Sequence, residues 1–280
     1  MEIIYIFTSD NYIKMVRILL NIEAKIPIIL MGETGIGKTK LLEILASLYG
    51  KGKPMCKTLQ IHAGTNDKNI VDFIGNVNNE IKKSNEENEL TLIFLDEFNT
   101  TKSLGLIIEI MCNHSYLGKK ISENIIFIAT CNPYRLITKK LELSGLSYYN
   151  TKENSKLNNL AYAVNPIPHS LLNFVLNFGS LSKEDEEKYI SNSIFEKIST
   201  FKQKNLIDNI YESELKEITN KIKESIVICH NFIRQIYDKS FVSLRDIKRF
   251  WLLFDYYMKN INSDIKIKLQ NSLNMALYLC

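Results

Sequence analysis

The stretch Gly32-Glu-Thr-Gly-Ile-Gly-Lys-Thr39 constrains the fold of this chain more than any other, because it fits the pattern G-x-x-x-x-G-K-[ST] without a mismatch. The preceding run, Ile26–Met31, is short and almost wholly apolar, as expected for a strand that is buried on both faces. The following residues, 38–49, carry leucines at helical spacing. A strand, a glycine-rich turn and a helix in this order form the context in which such a turn binds phosphate groups.

The residue types in this loop each have a chemical reason. Glycines allow backbone N–H groups to turn inward around phosphate oxygens without a clash from Cβ. Lys38 is expected to reach the β- and γ-phosphates, and the Thr39 hydroxyl is expected to be a ligand of Mg²⁺. The helix that begins here presents the positive end of its dipole to the anion. We therefore predict that a nucleotide binds to Gly32, Glu33, Thr34, Gly35, Ile36, Gly37, Lys38 and Thr39.

A second apolar run, Leu92–Leu95, predicts a strand that ends in two acids, Asp96 and Glu97. Two adjacent carboxylates at a buried strand end repel each other and are costly to desolvate, so they favour a bound cation. We expect Asp96 to hold Mg²⁺ through water and Glu97 to polarise the attacking water as a general base. The alternative is a solvated pair of acids at the exit of a strand, which the phosphate loop makes less favoured.

Two further polar residues extend this candidate site. The run Ile125–Ala129 predicts a strand that ends close to Asn132. If that strand neighbours the one ending in Asp96, the Asn132 amide can orient the water or touch the γ-phosphate; an ordinary Asn-Pro turn is the alternative. Arg245 lies in the first turn of a predicted helix, where a cation opposes the helix dipole unless an anion is bound. It is a candidate phosphate sensor, and a surface arginine paired with Asp246 is the alternative.

The order of the elements predicts an α/β core followed by helices. Strand and helix patterns alternate in the first half, which favours a parallel sheet covered on both faces. Residues 136–160 are polar, the piece Leu160–Val164 is a candidate for one last strand, and we expect only helices from His169 onward. We therefore expect an α/β nucleotide-binding core over residues 1–168 and a smaller helical lid over residues 169–280.

Composition narrows the class of protein further. A chain of 280 residues with 45% hydrophobic residues can bury a large core, and a net charge of +4 excludes global disorder. No apolar run approaches the roughly 18 residues of a membrane helix, and the start Met1-Glu2 lacks the basic residues of a signal peptide. We therefore expect a soluble, cytoplasmic protein. The five cysteines and four histidines are scattered, which predicts neither disulfides nor a zinc site.

These elements, in this order, resemble the functional motifs of the AAA+ ATPases. The loop at 32–39 is similar to a Walker A motif and Asp96-Glu97 to a Walker B motif, while Asn132 and Arg245 resemble sensor 1 and sensor 2. Several stretches are more specifically similar to the mysterin family, the giant ring-finger E3 ubiquitin ligases with a dynein-like AAA+ core. These stretches are Ser9–Met15, Met31–Thr39, Asp96–Thr101, Glu109–Cys112, Cys131–Arg135, Asn177–Leu181 and Val242–Asp246.

The resemblance implies a P-loop AAA+ core with a parallel five-stranded sheet between helices, a smaller all-α lid, and Mg-ATP bound between them. It implies catalytic roles for Glu97, Asn132 and Arg245, and metal binding by Thr39 and Asp96. In that family several modules are joined in one polypeptide as a ring-like motor, and the ligase elements lie elsewhere. We therefore expect an ATPase that couples Mg-ATP binding and hydrolysis to conformational change. Ubiquitin ligase activity is expected only in the parent protein.

One departure from the family pattern concerns the arginine finger. AAA+ hydrolysis usually takes this arginine from a neighbouring module, and members of the family often carry a basic residue where this chain has Tyr162-Ala163-Val164. Between Asn132 and Arg234 the only arginine is Arg135. We expect this module to be a poor donor of a finger, although it can still hydrolyse ATP with a finger from its neighbour.

Two alternative functions stay open at this point. The first is a structural AAA+ module that holds ATP as a scaffold cofactor without hydrolysing it; the departure at Tyr162 favours it and the intact Glu97 disfavours it. The second is a stand-alone AAA+ remodelling motor. The sequence has no basic stripe interleaved with aromatic residues, so we do not expect nucleic acid as a partner.

Overall fold

The computed structural model divides into two compact units, one formed by the described residues up to Gly179 and the other by those from Ser182 onward. None of the described helices is long and apolar enough to cross a membrane. The residues that the structure describes are 8–49, 56–83, 90–135, 162–179, 182–203, 212–236, 241–261 and 265–279.

A parallel sheet of five strands forms the centre of the first unit. Its strands are β1 (Ile28–Gly32), β2 (Cys56–Gln60), β3 (Thr91–Asp96), β6 (Ile125–Cys131) and β7 (Val175–Gly179). They are arranged in the order β2-β3-β6-β1-β7, and every pairing is parallel. All seven residues of β6 are buried, as the apolar run predicts for a central strand. Since β3, β6 and β1 are neighbours, their carboxyl ends meet at one edge of the sheet.

Helices cover both faces of this sheet, as the alternating pattern predicts. On one face α1 (Ser9–Glu23) and α2 (Lys38–Tyr49) pack on a core that contains Ile18, Leu41 and Phe94. The core of the other face contains Ile74, Ile107 and Phe127. The elements over that second core are α3 (Asp67–Lys83), α4 (Leu104–Asn113) and the 3-10 helices Phe98–Thr100 and His169–Phe174.

Two features of the first unit differ from the sequence-based expectation. The expected last strand at Leu160–Val164 is not a strand in its described residues, 162–164; the fifth strand is β7, which pairs with β1. Because β7 follows residue 168, the first unit extends beyond the boundary that the sequence suggested. The second difference is an unpredicted hairpin between α4 and β6, formed by β4 (Ser115–Tyr116) and β5 (Lys119–Lys120).

The described part of the second unit is helical. Trp251, Phe250 and Phe254 lie in its core, where their rings contact one another at centroid distances of 4.9 to 5.8 Å. The helices are α5 (Lys183–Gln203), α6 (Glu212–Ile236), α7 (Leu244–Asn260) and α8 (Ile265–Leu279). The predicted fold class, a five-stranded parallel sheet between helices followed by a smaller all-α part, is confirmed.

Candidate functional site

The phosphate loop joins the end of β1 to the start of α2, as its sequence context predicts. Gly35 and Gly37 have φ angles of +75° and +90°, a region that residues with a Cβ rarely adopt. A Cβ on Gly32 would lie 2.9 Å from the Cβ of Phe178 and 2.6 Å from the Cδ1 of Ile36, which is too close. The tight turn therefore needs its glycines for both conformation and space.

The ammonium group of Lys38 lies inside this loop, with only 8% of the residue exposed. It donates to the backbone carbonyl of Gly32, to that of Glu33 at 2.9 Å, and to Oδ1 of Asn132 at 3.3 Å. Burial lowers the pKa of Lys38 to about 8. The negative charges of nearby groups, which include Glu97, Asp96 and Glu33, act in the opposite direction and raise this pKa, but burial has the larger effect. The structure thus brings Lys38 together with Asn132 and with both acids of the strand end.

The acidic pair lies at the carboxyl end of β3, and Thr130 on the neighbouring β6 fixes it. The Thr130 hydroxyl donates to Oδ1 of Asp96 at 2.5 Å and accepts from the backbone N–H of Glu97 at 3.0 Å. Glu97 has φ +55° and ψ +40°, a left-handed conformation that costs a non-glycine residue about 1–2 kcal/mol. Such backbone strain is concentrated at functional sites, where it sets the direction of a side chain.

Asn99 is a positioning residue that the sequence analysis missed. It is fully buried, its Nδ2 donates to the backbone carbonyl of Asn132 at 2.8 Å, and its Oδ1 accepts from the Asn132 N–H at 3.4 Å. Its Nδ2 also lies 3.2 Å from the carbonyl oxygen of Asn165. Asn99 follows the acidic pair by two residues, so one short segment supplies both the acids and the support for Asn132. Asn99 could have been found from its position inside Asp96–Thr101, one of the stretches that are similar to the mysterin family.

The donor atoms near the phosphate loop are oxygens, which determines the kind of metal ion they can bind. Thr39 and Asp96 line the same cavity of about 570 Å³, which α2, β2 and β3 border. Mg²⁺ prefers oxygen ligands and usually takes one or two carboxylates, with water and substrate phosphates completing its shell. The described residues contain no group of three or more His, Cys, Asp or Glu side chains that could hold a metal ion. A hydroxyl and a carboxylate beside a phosphate loop fit Mg²⁺ held together with a nucleotide.

Arg245 belongs to the helical unit. It is exposed in the first turn of α7, and its backbone N–H donates to Oγ of Ser243 at 3.2 Å. Ser243 and Asp246 form the predicted capping box, in which the Asp246 carboxylate accepts from the Ser243 N–H at 2.8 Å. Asp246 also accepts from Arg249 at 3.0 Å. The role of Arg245 as a phosphate sensor stays a prediction.

The carboxylate of Glu33 makes contacts that the sequence analysis did not foresee. Nε of Arg135 lies 3.0 Å from its Oε1, and the hydroxyl of Tyr162 donates to its Oε2. Tyr162 is the first residue of the stretch Tyr162-Ala163-Val164, which was singled out above as a departure from the family pattern. Its hydroxyl is therefore directed at the phosphate loop of its own module.

Comparisons with known proteins identify relatives of this chain. A family model described as the RNF213 AAA domain matches residues 5–135. The chain is 32% identical over 265 residues to the E3 ubiquitin-protein ligase rnf213-beta of Danio rerio, which covers 88% of this chain and 5% of the relative. It is 32% identical over 270 residues to the E3 ubiquitin-protein ligase RNF213 of Homo sapiens, which covers 90% of this chain and 5% of the relative.

The chain thus spans about 5% of the length of these curated relatives. Among solved structures, a putative ATPase from Cytophaga hutchinsonii is similar with a TM-score of 0.36 and 15% identity. That match covers 81% of this chain and 63% of the ATPase. The family model and the relatives confirm the resemblance stated above from the motifs: the chain resembles the AAA domain of RNF213, or mysterin.

Proposed function

We propose that this chain binds Mg-ATP and hydrolyses it as an AAA+ module of a larger mysterin-like E3 ubiquitin ligase, coupling both steps to conformational change. The observation that carries the proposal is the buried ammonium of Lys38, which lies 3.3 Å from Oδ1 of Asn132 and close enough to Asp96 and Glu97 for their negative charges to raise its pKa against burial. A cationic group enclosed by glycine-lined backbone and strand-end acids is the arrangement that phosphoryl transfer needs.

Each residue of the site has a separate role in the proposed hydrolysis. Lys38 exchanges its contacts with loop carbonyls for the β- and γ-phosphate oxygens, and the backbone N–H groups of residues 32–39 hold the same phosphates. Thr39 and Asp96 would hold Mg²⁺, which would supply positive charge to neutralise the phosphates. Glu97 accepts a proton from the attacking water as the water oxygen bonds to the γ-phosphorus, while the bond from that phosphorus to the β,γ-bridging oxygen breaks and ADP leaves with the bridging oxygen. Asn132 orients the water or the γ-phosphate.

We also propose that a neighbouring AAA+ module of the same polypeptide or ring supplies an arginine finger. A finger is worth about 10³–10⁵ in rate, so the isolated chain is expected to bind Mg-ATP and to turn it over slowly. Arg245 serves as the sensor within the chain. Ubiquitin transfer is assigned to other parts of the parent protein.

Replacing Lys38 with alanine tests the binding step. We expect Lys38→Ala to weaken the binding of a fluorescent ATP analogue about 10- to 100-fold, because a charge-assisted hydrogen bond to phosphate is lost. The measurement is a fluorescence titration in the presence of Mg²⁺. Lys40→Ala is the matched control, since Lys40 is exposed on the same helix and pairs with Glu43 at 2.9 Å. No binding at millimolar nucleotide, or equal binding by Lys38→Ala and the wild type, ends the proposal.

A second candidate function is a structural module that holds ATP permanently without hydrolysing it. Two observations favour it: the stretch Tyr162-Ala163-Val164 contains no basic residue, and the Tyr162 hydroxyl donates to Glu33 of its own phosphate loop. Glu97 argues against it, since a non-hydrolysing site has no need for a general base. Turnover of the Glu97→Gln variant separates the two functions.

A further inference from the structure

The side chain of Glu33 in the phosphate loop is held by two residues from distant parts of the sequence. Nε of Arg135 lies 3.0 Å from Oε1 of Glu33, and the Tyr162 hydroxyl donates to Oε2. The guanidinium carbon of Arg135 also lies 6.0 Å from the centre of the Tyr162 ring, within the range of a cation–π contact. We name these three side chains, Glu33, Arg135 and Tyr162, the Glu33 clasp.

The Glu33 clasp connects to the nucleotide site through the backbone of the loop. The carbonyl of Glu33 accepts from the Lys38 ammonium at 2.9 Å, so the position of this carbonyl influences where the ammonium lies. The Thr34 N–H, the next amide of the loop, is 3.5 Å from the Tyr162 oxygen. Both carboxylate oxygens of Glu33 are thus engaged, and the turn that begins the loop is tied to Arg135 and Tyr162.

The Glu33 clasp also changes the net charge of the phosphate loop. Glu33 is a carboxylate in the loop that is proposed to receive a triphosphate, and like charges repel more strongly in a partly buried site than in water. Only 26% of the Arg135 side chain and 22% of the Glu33 side chain are exposed, so solvent screens this region incompletely. The Arg135 cation cancels the Glu33 charge, and the Tyr162 hydroxyl donates to the oxygen that Nε of Arg135 does not contact.

From these contacts we propose that Arg135 and Tyr162 are positioning residues for nucleotide binding, which act by neutralising Glu33 and fixing the start of the phosphate loop. This inference rests on the proposed binding of ATP. It gives Arg135 a function within its own module, at the loop, in place of a function as a finger for a neighbour. Tyr162 then serves the same loop.

A double-mutant cycle on the 280-residue chain tests the clasp, with the fluorescent ATP analogue and Mg²⁺ as the probe. We expect Arg135→Gln to weaken binding about tenfold, because Glu33 is left uncompensated beside the phosphates. Glu33→Gln alone should tighten binding by up to about threefold, because it removes a negative charge beside the phosphates while the backbone N–H of residue 33 remains. The double variant should bind like Glu33→Gln, because without the carboxylate there is no charge left for Arg135 to cancel.

Two further variants test the same contacts if Arg135→Gln folds poorly. Arg135→Lys keeps the positive charge but not the planar guanidinium, and it should recover more than half of the lost binding free energy. Tyr162→Phe removes a single hydroxyl and should weaken binding about threefold. Thermal unfolding of each variant without nucleotide shows which of them fold.

The outcomes of the cycle distinguish a wrong inference about the Glu33 clasp from a wrong proposal about ATP binding. A double variant that stays as weak as Arg135→Gln overturns the clasp, because Arg135 then contacts the nucleotide directly. Folded Arg135→Gln and Tyr162→Phe variants that bind like the wild type also overturn it, while the proposed ATP binding stands. A wild-type chain that binds no nucleotide overturns the proposed function and the clasp together.

Discussion

Replacing Glu97 with glutamine is expected to leave Mg-ATP binding intact and to lower ATP turnover by roughly 10²–10⁴, the usual contribution of a general base. Glutamine has the same shape but cannot accept the proton of the attacking water. The left-handed backbone at Glu97 and the bond from its N–H to Thr130 do not involve the carboxylate, so the fold around the site is kept. The measurement is phosphate released from labelled ATP over long incubations.

Turnover by the isolated chain is expected to be slow, because the proposed arginine finger comes from a neighbouring module. Other modules cannot mask a difference in the isolated chain, so the variant and the wild type are compared there and again in the full-length protein. Glu123→Gln is a suitable control because Glu123 is exposed in the same unit. Equal rates for the wild type and Glu97→Gln in both settings favour the scaffold function and contradict hydrolysis at this site.

The parts of the site that could be predicted are those whose chemistry depends on a short stretch of neighbouring residues. The loop at 32–39 needs particular residue types in a fixed order, because glycines, an ammonium and a hydroxyl must all meet the same phosphates. Asp96 follows four buried apolar residues directly, so its place at a strand end required only the identification of that strand. Asn132 was placed beside these acids on the condition that β3 and β6 are neighbours, and they are.

The parts that were missed depend on contacts between distant residues. Asn99, Arg135 and Tyr162 are ordinary polar residues in sequence, and only the folded chain brings them to Asn132 and Glu33. The strand β7 was missed for a related reason. It lies at the edge of the sheet, only Phe178 among its five residues is buried, and it lacks the continuous apolar run that marked the central strands.

The helical unit contains a buried ionic cluster on which its stability is expected to depend. Glu186 on α5, with 9% of its side chain exposed, accepts from two nitrogens of Arg234 at 2.6 and 2.8 Å and lies 2.9 Å from Nδ1 of His230. Burial raises the pKa of Glu186, but the hydrogen bonds and charges of its partners outweigh burial and lower that pKa to about 2. The carboxylate is thus strongly held in its charged form.

We expect Glu186→Gln to lower the free energy of unfolding of the helical unit by about 3–5 kcal/mol, because the Arg234 charge is left without its partner in a poorly solvated place. Trp251 is the only tryptophan of the chain and lies in the core of this unit, so its fluorescence in a urea titration reports the unfolding. Glu187→Gln is the control: Glu187 is half exposed, its pair with Lys223 spans 3.5 Å, and its loss should change stability by at most about 1 kcal/mol.

The pH dependence of the same measurement distinguishes lost charge pairing from altered packing. The folded pKa of Glu186 lies below its unfolded value of about 4.5, so its stabilisation is complete above that pH and is lost as the pH falls toward 2. The difference in stability between wild type and Glu186→Gln should therefore be constant near neutral pH and shrink as the pH falls through this window. A difference that is unchanged at low pH would mean that the carboxylate acts through its shape rather than its charge.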